Sequence, residues 1–387
     1  MNLDWRTKLI HPQVAAPEGF RSLVTPTYRG STTLFASAAE VTDDWDQARV
    51  AYSYGLYGTP TSFELAARIA DLEGGGHCFL TPGGQAAIAL ISLAFARSGG
   101  HMLLPESAYG PNRDLADRVL ARLGVTIEYY DPLIGGEIQA LIRENTHLIW
   151  LESPGSVTME VQDAPAITAA ARRAGVVTAL DNTYSAGVLF DAFAHGVDVT
   201  MQALTKYIGG HSDLLLGSVT VRDPAHYQAI GDAHQLLGMG VSPDDCSLAL
   251  RGLQTLATRL KQLEESALAV ARWLAEQPEI ERVLHPALPS CPGHEHWKRD
   301  FTGSASVFSV VFAPSAQPAA IIRFVDSLSL FKIGYSWGGV TSLAMPFVAL
   351  KRRHRAYGSQ LVRFNVGLET VGDLLADLAR GFSVLRM

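Results

Sequence analysis

Between residues 77 and 221, short apolar, β-rich runs alternate with stretches of helical spacing, and this alternation restricts the fold more than any other feature of the chain. The runs CFLT, HMLL, VTIEYY, HLIWLE and VVTAL are separated by segments predicted to be helical: AAIALISLAFA, 112–123, 137–142 and 163–174. Alternation of this kind specifies an α/β fold with a mostly parallel sheet covered by helices, and such sheets bind ligands beyond the carboxyl ends of their strands. The residues at those ends are therefore the candidates for chemistry.

Two of them stand out. The run 176–180 delivers Asp181 to a strand mouth, and the run 197–204 leads directly into Thr205 and Lys206, followed by Tyr207, Gly209, Gly210, His211, Ser212 and Asp213. Burial disfavours the charged form of a lysine, and an uncharged amine can attack a carbonyl. That chemistry suggests a Schiff base. The cofactor that most often needs a protein lysine for one is pyridoxal phosphate, whose ring nitrogen requires an acidic partner, here Asp181. On residue type alone, a surface ion pair of Lys206 with Asp213 or Asp181 is the commoner arrangement.

The segments DNTYSAG and QALTKYIGGHSD, with the lysine 25 residues after the acid, resemble the cofactor site of the Cys/Met-metabolism family of pyridoxal-phosphate enzymes, and the likeness extends over nearly the whole chain. The resemblance implies an aspartate-aminotransferase-like, fold type I architecture: an N-terminal arm (1–60) contacting a neighbouring subunit, a large cofactor-binding domain (61–255) and a smaller C-terminal α/β domain (256–387). It also implies a homotetramer built as a dimer of dimers. Its site residues carry over as Lys206 and Asp181, Tyr109 stacking on the ring, backbone amides of Gly84 and Gln85 on the phosphate, Thr205 as a phosphate hydroxyl, Tyr54 from the adjacent subunit, and Arg363, assisted by Ser336, on the substrate carboxylate. Gly84 and Gln85 follow CFLT-PG and precede an apolar helix, an arrangement that aims free N–H groups at an anion.

Two positions depart from the family pattern. Leu56 stands where many members have a phosphate-binding arginine, and Ala203 where relatives often have a serine. A leucine makes no charge-assisted contact, so the phosphate is expected to rely on backbone groups, Thr205 and Tyr54, with Tyr57 or Arg49 as further donors. The turn GYSWGG, through Trp337, resembles that of the family's β-lyase branch. It implies α,β-elimination on an amino-acid thioether such as L-cystathionine, giving homocysteine, pyruvate and ammonia. A γ-lyase or γ-synthase, a broader cysteine-conjugate lyase and a catalytically silent binding subunit are the alternatives.

The rest of the sequence sets boundaries on these readings. Ser62 is expected to cap a helix that stops at Gly74–Gly76, and 242–277 reads as one long helical run joining the domains. The small domain is expected to contain RVLHP, SVFSVVF, a helix at 319–328, LVRFNVG and a final helix at 370–385. With 48% hydrophobic and 18% charged residues and a net charge of −7, the chain suits a globular protein with no nucleic-acid partner. The amino terminus lacks a signal-peptide core and no run is long enough to span a membrane, so a cytoplasmic protein is expected. Cys78, Cys246 and Cys291 suggest buried thiols rather than a disulfide framework, and Cys291, His294 and His296 match no common zinc spacing, so no metal is expected.

Overall fold

In a computed structural model, residues 4–9, 19, 22–46, 49, 52–355, 357 and 360–386 are described. Among the described residues, a short helix α1 (Trp5–Lys8) and a 3-10 turn (Ala38–Glu40) precede α2 (Pro60–Glu73). The cap of α2 is Thr59, not Ser62. Pro60 supplies the fixed φ of a first helical position, and Ser62 is the third helical residue, its hydroxyl accepting the Thr59 N–H at 2.7 Å. Gly74, at φ +69°, ends the helix as expected.

The alternation then unfolds as β1 (His77–Thr81), α3 (Gly84–Phe95), β2 (His101–Pro105), α4 (Gly110–Leu115), β3 (Thr126–Tyr130), β4 (Thr146–Glu152), α5 (Ala164–Ala174), β5 (Val177–Asp181), β6 (Val199–Ala203) and β7 (Gly217–Val221). Two sequence expectations need correction. The helix expected over 112–123 begins at Gly110 and passes after Leu115 into a π turn and a 3-10 turn, while that over 137–142 is a 3-10 stretch, Gly135–Leu141. The seven strands lie in the order β1-β7-β6-β5-β4-β2-β3; β7 runs antiparallel to both neighbours and the other pairs are parallel. β2 and β7 are buried along their whole length, as helices on both sheet faces require.

Helices α6 (Pro224–Leu236), α7 (Pro243–Gln254) and α8 (Leu256–Ala275) lead out of this sheet. The single long run expected over 242–277 is thus two helices, separated at Thr255, whose backbone is not helical. Beyond α8 come β8 (Ile280–Leu284), α9 (His294–Asp300), β9 (Val307–Phe312), α10 (Pro318–Ser327), β10 (Lys332–Ile333), β11 (Leu343–Pro346), β12 (Leu361–Asn365) and α11 (Val371–Leu385). Their strands form a second sheet, β10-β11-β12-β9-β8, in which only the β10–β11 pair is parallel. The architecture is thus a large, mostly parallel sheet followed by a smaller second one, as the alternation predicts.

Helix α8 serves both parts. Leu256, Leu260 and Leu263 pack into the core shared with Leu204 and Tyr207, whereas Ala267, Val270 and Leu274 enter the core of the smaller sheet. Phe364, fully buried on β12, lies 5.4 Å from Phe331 and 6.0 Å from Phe308 between ring centroids. Phe364→Ala is expected to cost about 4 kcal/mol, the transfer and cavity loss of a core phenylalanine. The loss is read as a lower urea midpoint for the transition reported by the small-sheet tryptophan, Trp273.

Candidate active site

Strand ends bring the chemistry together. β4 and β5 run parallel with Glu152 opposite Asp181, and β6, the next strand, ends at Ala203 just before Lys206. The Asp181 carboxylate accepts two hydrogen bonds from Thr183, from its N–H at 3.0 Å and its hydroxyl at 2.5 Å. Thr183 in turn accepts the Ala203 N–H at 2.9 Å, which ties the acid to the strand that carries the lysine. Burial raises the pKa of Asp181, and the Thr183 donors and the nearby Lys206 charge oppose that rise.

Burial, reinforced by the positive charge of Arg363, lowers the Lys206 amine to about 8, against the opposing pull of Asp181. Its Nζ donates to the Ser336 hydroxyl at 2.5 Å and lies 5.5 Å from the centre of the Trp337 ring. The turn bearing these residues is constrained: Ser336 has φ +80°, outside the ordinary range of a residue with a Cβ. The Asn365 side chain holds it by accepting the Gly338 N–H at 2.9 Å, and Tyr207 lies 5.3 Å from Trp337 between ring centroids. A Cβ on Gly338 would stand 3.2 Å from the Lys206 backbone, so the turn lies directly on the lysine segment.

Arg363, on β12, donates to the Ser336 carbonyl at 3.2 Å and sits over the Phe347 ring at 5.3 Å. Burial lowers its pKa to about 10, which leaves it a cation. Tyr109 caps α4; its N–H donates to Glu152 at 2.7 Å, and its phenol is raised by burial and by the charges of Asp181 and Glu152 while Arg363 opposes. Lys206, Asp181, Tyr109, Arg363, Ser336 and Trp337 therefore form one group.

At the other side of the lysine strand, α3 begins at Gly84, packed so closely on Ala203 that a Cβ would come within 2.6 Å of the Ala203 Cβ. The first-turn N–H groups of α3 have no intrahelical partners, and the dipole there favours an anion. Gln85 is exposed, its side chain donating to the Pro111 carbonyl at 3.0 Å. The Thr205 hydroxyl exchanges hydrogen bonds at 3.1 Å with the carbonyl and N–H of Leu216, so it must turn from that carbonyl to donate to a phosphate. A buried amine of lowered pKa, a held carboxylate and a glycine-lined helix terminus suit pyridoxal phosphate.

Tyr54 stands apart from this group. It is exposed, bridges Thr32 and lies 6.3 Å from the Tyr57 ring. The two further donors considered for Leu56 are engaged elsewhere: Tyr57 with Asp43 and Gln235, and Arg49 with Asp44 and Asp46. Cys78, Cys246 and Cys291 are buried free thiols. Cys291 faces the Met159 carbonyl and His294 that of Pro286, and among the described residues no group of His, Cys, Asp and Glu can hold a metal ion. Nor is any helix among them long and apolar enough to cross a membrane.

Sequence reasoning missed Thr183 and Asn365. Thr183 had a local signal, since an acid two residues before a threonine can take both its N–H and its hydroxyl. Asn365 had none, because its contact spans 27 residues.

The chain resembles known proteins along most of its length. It is 44% identical over 338 residues both to cystathionine beta-lyase MetC of Escherichia coli (strain K12) and to cystathionine beta-lyase of Salmonella typhimurium (strain LT2), the match covering 85% of this chain and 85% of each relative. The crystal structure of cystathionine gamma-lyase from Lactobacillus plantarum, complexed with L-serine, superposes with a TM-score of 0.91 at 27% identity, covering 99% of this chain and all of that one. Residues 6–383 match the family described as Cys/Met metabolism PLP-dependent enzyme. With the lysine, acid and arginine gathered at the strand ends and that match over nearly all its length, the chain belongs to the Cys/Met-metabolism family of pyridoxal-phosphate-dependent enzymes.

Proposed function

We propose that this chain is a carbon–sulfur β-lyase that cleaves L-cystathionine to homocysteine, pyruvate and ammonia. The observation that carries the reading is the Ser336-Trp337 turn set on Lys206 beside Arg363, in a chain 44% identical to two cystathionine beta-lyases. Pyridoxal phosphate, bound through Lys206, supplies a sink for the electrons released when the Cα–H bond breaks.

The residues of the chain do the rest. Arg363 pairs with the substrate carboxylate, a task for a planar fork with a permanent charge, and so turns the Cα–H bond toward Nζ of Lys206. With a pKa near neutrality the amine takes that proton readily and can return one to the departing thiolate sulfur. With the cofactor bound, Asp181 would pair with its ring nitrogen and favour the protonated form, Tyr109 would face the ring, and Trp337 would screen the amine from water. The cofactor phosphate would be held by amides of Gly84 and Gln85, by Thr205 once its hydroxyl turns from Leu216, and by the partner subunit's Tyr54. We assign 1–60 to an arm crossing to that subunit, 61–255 to the cofactor domain and 256–387 to the small domain of a cytoplasmic tetramer.

The deciding experiment incubates the pyridoxal-phosphate-loaded protein with L-cystathionine and identifies the keto acid by mass spectrometry. Pyruvate with homocysteine is expected. Release of 2-oxobutyrate would move the chain to the γ branch, and no keto acid would leave it a lyase of other thioethers or a silent relative.

A pH dependence follows from the lysine. An amine protonated below about 8 is not a nucleophile, so capture of added pyridoxal phosphate by the apo-protein is expected to accelerate about tenfold per pH unit below that value and to level off above it. Absorbance at the Schiff-base band follows the rate. A rate that still climbs steeply above pH 9 would mean that Lys206 is not perturbed.

A further inference from the structure

Glu152 lies next to the proposed chemistry without a part in it. It is buried at the end of β4, directly across from the half-buried Asp181 on β5, so two carboxyl groups of unequal exposure share one strand edge. Neighbouring carboxyls oppose each other's ionisation; the less solvated one keeps its proton to higher pH and the better-solvated one ionises first. Their hydrogen bonds differ. Asp181 accepts two from Thr183 and has Lys206 nearby, whereas the Glu152 carboxyl accepts the Tyr109 N–H.

We propose that Glu152 is a positioning residue that holds the proton of the Glu152–Asp181 pair while tethering Tyr109, so that Asp181 remains the anion of the site. The inference rests on reading Asp181 and Tyr109 as cofactor-facing groups. A protonated carboxyl still accepts the Tyr109 N–H through its carbonyl oxygen, so the tether does not depend on charge. It therefore fixes the tyrosine backbone without setting a second negative charge beside Asp181.

The other groups around Glu152 agree with this placement. Ser156 and the Tyr109 N–H stabilise its anion, and Arg352 adds a positive charge from the segment between β11 and β12; burial and the Asp181 charge outweigh them and raise its pKa well above the ordinary carboxylate range. The Arg352 charge is shared among Glu160, Glu106 and Glu152. Tyr130, beneath, gives its hydroxyl proton to the Trp150 carbonyl rather than to Glu152.

The test uses the pyridoxal-phosphate-loaded protein and reads the cofactor rather than turnover, so it stands or falls separately from the cystathionine assay. Glu152→Gln, an uncharged isostere that can accept the same N–H, is expected to keep the pH midpoint of the visible absorption within about 0.3 unit of the parent. If Glu152 is an anion, the substitution removes a negative charge and lowers that midpoint by a unit or more, which overturns the proposal. Infrared spectra of the parent should show a protonated carboxyl C=O stretch that shifts on [13C]glutamate labelling and is missing from Glu152→Gln; no such band overturns it. Should that variant not fold, Glu152→Asp is used, in which the glutamate-labelled band must vanish. Glu152→Ala is expected to weaken cofactor retention severalfold with Glu152→Gln restoring it, and equal weakening in both would refute the tether.

Discussion

Lys206→Ala is expected to abolish the borohydride-fixable attachment of pyridoxal phosphate and to lower turnover of L-cystathionine by about 10⁴-fold. Both losses have the same origin. Nζ is the one amine in the group Lys206, Asp181, Tyr109 and Arg363, and with its pKa lowered to about 8 it serves both as nucleophile and as base. A positioned general base contributes about 10²–10⁴ to a rate, and loss of the anchoring amine adds to that. Peptide mass mapping after borohydride reduction should place the cofactor on the tryptic fragment containing Lys206 in the parent and on none in the variant. Turnover within tenfold of the parent would remove Lys206 from the mechanism.

The second large effect is expected from Arg363→Ala, a fall of about 10³-fold in kcat/KM. A hydrogen bond to a charged group is worth about 1.5–3 kcal/mol. A bidentate pair with the substrate carboxylate then supplies about 4 kcal/mol, or three decades at about 1.4 kcal/mol each. Arg363→Lys should recover only part of the loss, because an ammonium presents no planar fork. A second readout distinguishes this role from packing against Phe347. The Arg363 charge lowers the Lys206 pKa, so removing it should move the plateau of cofactor capture to higher pH in Arg363→Ala, with Arg363→Lys staying near the parent. An unmoved plateau would mean that the guanidinium does not act on the amine.

Much of the site was legible because its members end strands or follow them immediately. Asp181 closes β5 and Lys206 follows β6, so a strand prediction and one residue identity sufficed for each. Gly84 and Gln85 were legible as the start of an apolar helix after a Pro-Gly turn. Arg363 and the Ser336-Trp337 turn were not legible by that route. Arg363 lies on a different sheet and the turn joins two strands of that sheet, more than a hundred residues after the lysine, and resemblance alone brought them to it.

The helix boundaries show the same division. Ser62 was a plausible cap by residue type, but Pro60 two residues earlier fixes the backbone for helix entry, and the cap falls to Thr59. The break at Thr255 inside an uninterrupted helical pattern has no local marker, and the two flanking helices face different surroundings: α7 packs on the large-sheet core, whereas α8 passes from that core into the second.

By itself the sequence determined the α/β alternation, the strand-end positions of Asp181 and Lys206, and the glycine-led start of α3. These depend on patterns two to four residues long, which side-chain periodicity and backbone freedom express locally. Only the tertiary structure decided that Asn365 would hold the turn over the lysine, that Thr183 would hold Asp181 against Ala203, and that Glu152 would face Asp181. Each depends on which strands become neighbours and in what register. That choice is made by burying the apolar faces of the whole chain together, and no local pattern encodes it.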